Sequence, residues 1–121
     1  MGHLQRQTKQ SKPYENPGAE LFLSLVVLVQ RINDSAAAIL KTADLSPPQY
    51  NVLRILRGAD KEGRTCNEIA ERMIHRVPDV TRLLDRLEAR GLLTRQREAT
   101  DRRVVRVWLS KAGAALLAPL D

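Results

Sequence analysis

A mainly helical domain closed by one small β-hairpin is the fold this sequence predicts, and three observations predict it. Apolar residues recur at helical spacing through most of the chain, from Leu21 to Leu87. Two capping boxes, Ser46-Pro47-Pro48-Gln49 and Thr65-Cys66-Asn67-Glu68, mark helix starts. After Gly91 the period switches to two, over two short runs separated by a polar stretch. With 121 residues, one domain with a real core fits the length.

The elements follow in order. Residues 1–16 are polar, rich in Gln and Lys, and lack periodicity, so they read as a disordered tail preceding a single domain over 17–121. Asn16-Pro17 offers an N-cap with proline at the first helical position, and a long helix is expected over 17–42. Its apolar stripe includes Leu21, Leu25, Leu28, Val29, Ile32, Ala36, Ile39 and Leu40, and Phe22, Leu23, Val26 and Val27 make its first half apolar almost all round. The run Leu21–Val29 is too short to span a bilayer, and Glu15 and Glu20 make it a poor signal peptide. It is therefore expected to be a buried helix, touching a partner such as a dimer mate besides its own core.

The Ser46 box opens a helix with Tyr50, Val52, Leu53 and Leu56 on its apolar face, ended by Gly58. A charged loop covers 59–63. The Thr65 box opens a short helix through Met73, with Ile69, Ala70 and Met73 facing inward. His75 to Pro78 forms a turn, and the next helix carries Val80, Leu83, Leu84 and Leu87 at i, i+3, i+4, i+7 spacing before Gly91. Leu92–Arg97 and Arg103–Leu109 alternate as hairpin strands, and residues 110–121 begin a short, truncated-looking helix. Helix, turn, helix and hairpin over 64–109 make a winged helix-turn-helix.

Charge says what such a lobe can hold. The formal net charge of +6 favours a polyanion, and between Arg76 and Arg106 stand nine arginines and no lysine against Asp79, Asp85, Glu88, Glu98 and Asp101. A solvated surface explains such an excess, but not its place on this architecture. Arginine's flat fork suits phosphates and guanine edges. Arg76 is assigned to a phosphate at the second helix's entrance, beside Pro78. Thr81, Arg82 and Arg86 are assigned to the major-groove floor. Asp79 either accepts from a base or satisfies local amides. At the hairpin tip, Asp101, Arg102 and Arg103 face the minor groove, with Asp101 pairing an arginine to hold the tip. The partner expected is double-stranded DNA.

Other classes fit less well. No nucleophile–base set, glycine-rich phosphate loop or metal-spaced cluster stands in the sequence, so neither enzyme activity nor a cofactor or metal is expected. Tyr14, Phe22, Tyr50 and Trp108 are too scattered for a base-stacking platform. His75 reads as a solvated turn residue, and Cys66, the single cysteine, as an inert thiol of a reducing, cytoplasmic compartment. The rival reading is a winged-helix protein-interaction or dimer-interfering module.

ELFLSLVVLVQRI, LSPPQYNVLRIL, TCNEIAERM, VPDVTRLLDRLEARGLL and above all EATDRRVVRVWLSKAG resemble the MarR (multiple antibiotic resistance regulator) family over roughly residues 19–121. The family's D-x-R wing element falls on Asp101-Arg102-Arg103, and L-x-x-x-G on Leu109 to Gly113. The resemblance implies a homodimeric transcription factor, usually a repressor, that binds a pseudopalindromic operator and is released by a small-molecule effector. It makes Arg103 the minor-groove residue, Asp101 its structural partner and the Arg76–Arg86 region the major-groove reader. Family members close their dimer with two long C-terminal helices, and the sequence here stops at Asp121, short of them.

Overall fold

The structure, a computed structural model, describes residues 2–74 and 76–121; His75, expected in the turn between two helices, lies outside the described residues. One compact unit runs to Ala38 and a second from Ile39 to Asp121.

In the first unit the polar N-terminal stretch contains a helix that periodicity did not reveal, α1 (His3–Gln7). Local hydrogen bonds hold it: the Thr8 hydroxyl donates to the Leu4 carbonyl at 2.9 Å and bonds the Tyr14 hydroxyl at 2.8 Å, while the Gln5 amide donates to the Gln10 carbonyl. Leu4 and Gln5 are buried. Helix α2 (Pro17–Thr42) starts as the cap predicted, with Asn16 Oδ1 accepting from the Gly18 and Ala19 amides.

Burial of α2 departs from the sequence reading. Leu21, Phe22, Leu25, Val26, Leu28, Val29, Ile32 and Ile39 are all exposed, and Leu40 alone in this helix is buried. A helix that is apolar nearly all round offers more surface than one small domain can cover. At 26 residues, rather than the nine of its most apolar run, α2 is also long and apolar enough to cross a bilayer by length and composition alone.

The second unit is built on α3 (Pro47–Arg57), β1 (Arg64–Thr65), α4 (Cys66–Arg72), α5 (Val80–Ala89), β2 (Leu93–Arg97), β3 (Val105–Leu109) and α6 (Lys111–Leu117), followed by a 3₁₀ turn at Ala118–Leu120. Both capping boxes are formed, with Ser46 and Gln49 bonding each other's amides at α3 and Thr65 and Glu68 doing so at α4. The core draws Val52, Leu53 and Leu56 from α3, Ile69 from α4, Leu84 and Leu87 from α5, Leu93 and Val107 from the hairpin and Leu117 from α6. Ala70, expected inside, is exposed: the seven-residue α4 turns only the stripe of Ile69 and Met73 to the core. The sheet has a third strand that the sequence did not announce. Its order is β1-β3-β2, all antiparallel, with Arg64 opposite Val107.

Candidate nucleic-acid interface

Helices α4 and α5 form the helix-turn-helix. Asn51 of α3 pins the turn between them, its Oδ1 accepting from the Ile74 amide at 2.8 Å. Val77 packs against the core, whereas Arg76 and Pro78 are exposed. Asp79 is the N-cap of α5, its Oδ1 accepting from the Arg82 amide at 3.0 Å, so this carboxylate satisfies a local amide. From there the period of α5 sorts its side chains. Leu84 and Leu87 are fully buried, and Thr81, Arg82, Asp85 and Arg86 are exposed on the opposite side.

The far end of α5 is fixed by backbone geometry. Gly91 takes φ +72°, a left-handed conformation that glycine adopts without strain, and the Leu92 amide turns back to the Leu87 carbonyl at 3.0 Å. The Arg90 guanidinium donates to the Ala43 and Asp44 carbonyls, just beyond the end of α2. Ser110 closes over the same corner, its hydroxyl donating to the Gly91 carbonyl at 2.6 Å. Gly113 packs so closely there that a Cβ would collide with the Leu92 carbonyl.

In the wing, Asp101 Oδ1 accepts from both the backbone amide and Nε of Arg103, at 3.1 and 3.2 Å. These bonds hold the Asp101 carboxyl below the usual carboxylate range, and the Arg103 side chain is 92 % exposed. Arg97 donates to the Arg102 carbonyl at 2.7 Å across the turn, and Arg106 donates to Glu98. Arg95 of β2 reaches α5, where its Nη2 lies 2.6 Å from Asp85 Oδ1 and 2.9 Å from Glu88 Oε1. The hydrogen bond from Arg95 lowers the Glu88 pKa, and Glu88 in turn raises that of Arg95.

Each of the five acids between Arg76 and Arg106 has a partner within the lobe: Asp79 caps α5, Asp85 and Glu88 hold Arg95, Glu98 holds Arg106 and Asp101 holds Arg103. Among the described residues, Arg76, Arg82, Arg86 and Arg102 keep side chains free of hydrogen bonds and ion pairs. The sequence-derived residues therefore fall on two exposed places, the outer face of α5 with its entrance and the wing tip. Sequence reasoning missed Asn51, Arg90 and Arg95, whose partners lie at a distance along the chain. For Arg95 there was a signal: alternation puts it on the same strand face as the buried Leu93, an odd place for an unpaired charge.

Residues 43–104, just over half of the chain, match the sequence model of the MarR family. The chain belongs to the MarR family. Among curated MarR-like relatives, the transcriptional regulator HosA of Escherichia coli O157:H7 is 37 % identical over 75 residues, which are 62 % of this chain and 54 % of HosA. The chain thus spans about half the length of the curated relatives it matches. Solved structures agree on the fold. A MarR transcription factor from Planctomyces limnophilus superposes with TM-score 0.77 at 39 % identity, covering 90 % of this chain and 78 % of that one. The transcriptional repressor CouR, bound to a 23-mer DNA duplex, superposes with TM-score 0.75 at 31 % identity, covering 90 % of this chain and 76 % of CouR. The fold is the winged helix of this family, mostly helical with a small antiparallel sheet.

Proposed function

We propose that this MarR-family chain is a sequence-specific double-stranded DNA-binding regulator that acts in the cytoplasm as a homodimeric repressor on a pseudopalindromic operator. The observation that carries this reading is the pairing of all five acids between Arg76 and Arg106, which leaves a surplus of unpaired arginines on α5 and the wing tip. Arg76 meets a phosphate at the entrance of α5 beside Pro78. Thr81, Arg82 and Arg86 read the major groove, Asp79 orders the helix start, and Arg103 enters the minor groove with Arg102 beside it and Asp101 behind it. CouR bound to duplex DNA supports the same partner for this fold.

The second copy is the occupant we assign to the exposed face of α2. By helical period the exposed Arg31, Asp34 and Lys41 fall on the other sides of α2, and family membership favours a protein partner over lipid. A small-molecule effector releasing the dimer completes the reading. It is tested by sedimentation velocity over a concentration series, with and without a duplex selected by the protein from a random-sequence pool. A dimer binding one duplex, with half-sites about one helical turn (~10 bp) apart, is the expected result. A persistent monomer with weak, sequence-blind binding overturns it in favour of a protein-interaction module.

A further inference from the structure

We infer that Arg95 is the positioning residue that sets the wing against the recognition helix, by bridging β2 to Asp85 and Glu88 of α5. The inference rests on the DNA-binding reading and assigns Arg95 no contact with DNA. Three observations carry it.

First, Arg95 sits at a register position whose strand face belongs to the core. Leu93 beside it and Val107 opposite it are both buried, and the Arg95 side chain is only 20 % exposed. A guanidinium there is unavailable to a phosphate, and its Nη2 is committed to two carboxylates at 2.6 and 2.9 Å.

Second, the wing beyond Arg95 is braced internally. Arg97 bonds the Arg102 carbonyl, Arg106 bonds Glu98, the Glu98 amide bonds the Val104 carbonyl and Asp101 bonds Arg103. The core and β1 hold the base of the hairpin at Leu93 and Val107, so a hairpin stiffened in this way swings as one piece from about Arg95 outward.

Third, Arg95 grips α5 on the side that carries the reading residues: Asp85 stands four residues after Thr81 and three after Arg82, and all three are exposed. The register Arg97↔Val105 sets Arg103 roughly four residues beyond Arg95, or ~13 Å at ~3.3 Å per residue. A pivot of ~10° at the bridge then carries the Arg103 backbone by ~2 Å, enough to break a hydrogen bond.

The test uses the full chain with Cys66→Ser, carrying nitroxide labels at Thr81→Cys on α5 and Thr100→Cys at the wing tip. Distance distributions are measured without DNA. Asp85→Asn with Glu88→Gln removes both ionic partners at exposed positions and leaves the core untouched, which covers the case in which Arg95→Ala fails to fold. In this pair the label distance should broaden, and in Arg95→Lys it should narrow again. In parallel, affinity for a duplex selected from a random pool by the wild-type chain is measured with and without Arg103→Ala. That substitution should weaken the wild type by ~10-fold or more but the unlatched pair by only ~2–3-fold, because an unpositioned wing has little contact left to lose. An unchanged distance distribution overturns the inference. So does a broadened one in which Arg103→Ala costs as much as in the wild type. A wild-type chain that binds no duplex overturns the DNA reading instead, and the label distances then decide the latch alone.

Discussion

On the proposed reading, Arg103→Ala separates binding from folding. The Arg103 side chain is 92 % exposed and its ionic partner is Asp101, two residues away in the same turn. Such an exposed pair contributes little to stability, so the melting temperature should move by no more than about a degree. Binding should respond strongly. A minor-groove arginine neutralises about one phosphate equivalent per wing, and a two-fold dimer carries two wings. The slope of log K against log salt should therefore become shallower by about 1.8. At moderate salt the affinity for a selected duplex should fall ~10-fold or more, with the loss concentrated where the duplex is narrow and A·T-rich. Asp101→Asn offers the contrasting case. It keeps the Arg103 charge and removes a carboxylate that phosphates repel, but it weakens the charge-assisted bonds that aim the guanidinium. Its salt slope should stay near wild type or steepen while discrimination among duplexes declines. Fluorescence anisotropy at four or five salt concentrations, beside a thermal melt, measures all of this. An unaltered slope and affinity in Arg103→Ala would refute the assignment, and a collapse of the melt would show that Arg103 acts on the fold.

Other outcomes follow from the same geometry. Gly113→Ala should destabilise the chain by about 2–3 kcal/mol in denaturant unfolding, since its Cβ would collide with the Leu92 carbonyl, which is backbone and cannot swing aside. Leu84→Ala, in a fully buried position at the centre of the core, should cost about 2–5 kcal/mol in the same assay. The Glu88 pKa is lowered from 4.5 by Arg95, so the folded state binds fewer protons than the unfolded one near that pH. The contribution of this pair is present above pH 4.5 and is lost as pH falls through the lower folded value. The melting-temperature gap between wild type and Glu88→Gln should accordingly shrink on acidification, and a gap that grows would reverse the sign of the argument. The gap itself should be small, because Glu88 is 40 % exposed and solvent screens the pair. Phe22→Glu with Leu25→Glu should weaken self-association by ~100-fold or more in sedimentation and leave the helix content intact, because both side chains are exposed in the single chain.

Where the sequence sufficed, the deciding interactions were local. The Ser46 and Thr65 capping boxes, the four-residue stripe of α5 and the turn at Gly91 are each settled within a few residues, by hydrogen bonds or by side-chain period, and all were legible. The outward face of α5 followed from the same period, because the residues that face away from the buried Leu84 and Leu87 must face solvent. The Asp101–Arg103 pair spans two residues and could be read in the same way.

What tertiary structure decided was everything whose partner is remote. The two residues of β1 have no pattern of their own and become a strand because β3 offers a free edge opposite Arg64 and Thr65. Arg90 finds carbonyls 46 and 47 residues back along the chain, and Asn51 an amide 23 residues on. Arg95 finds its two carboxylates only because the Gly91 turn folds β2 back along α5. Composition could count nine arginines against five acids in this region. Only packing could say which acids are spent on structure and which arginines are left unpaired, because charge pairing depends on distance in space and the sequence records distance along the chain.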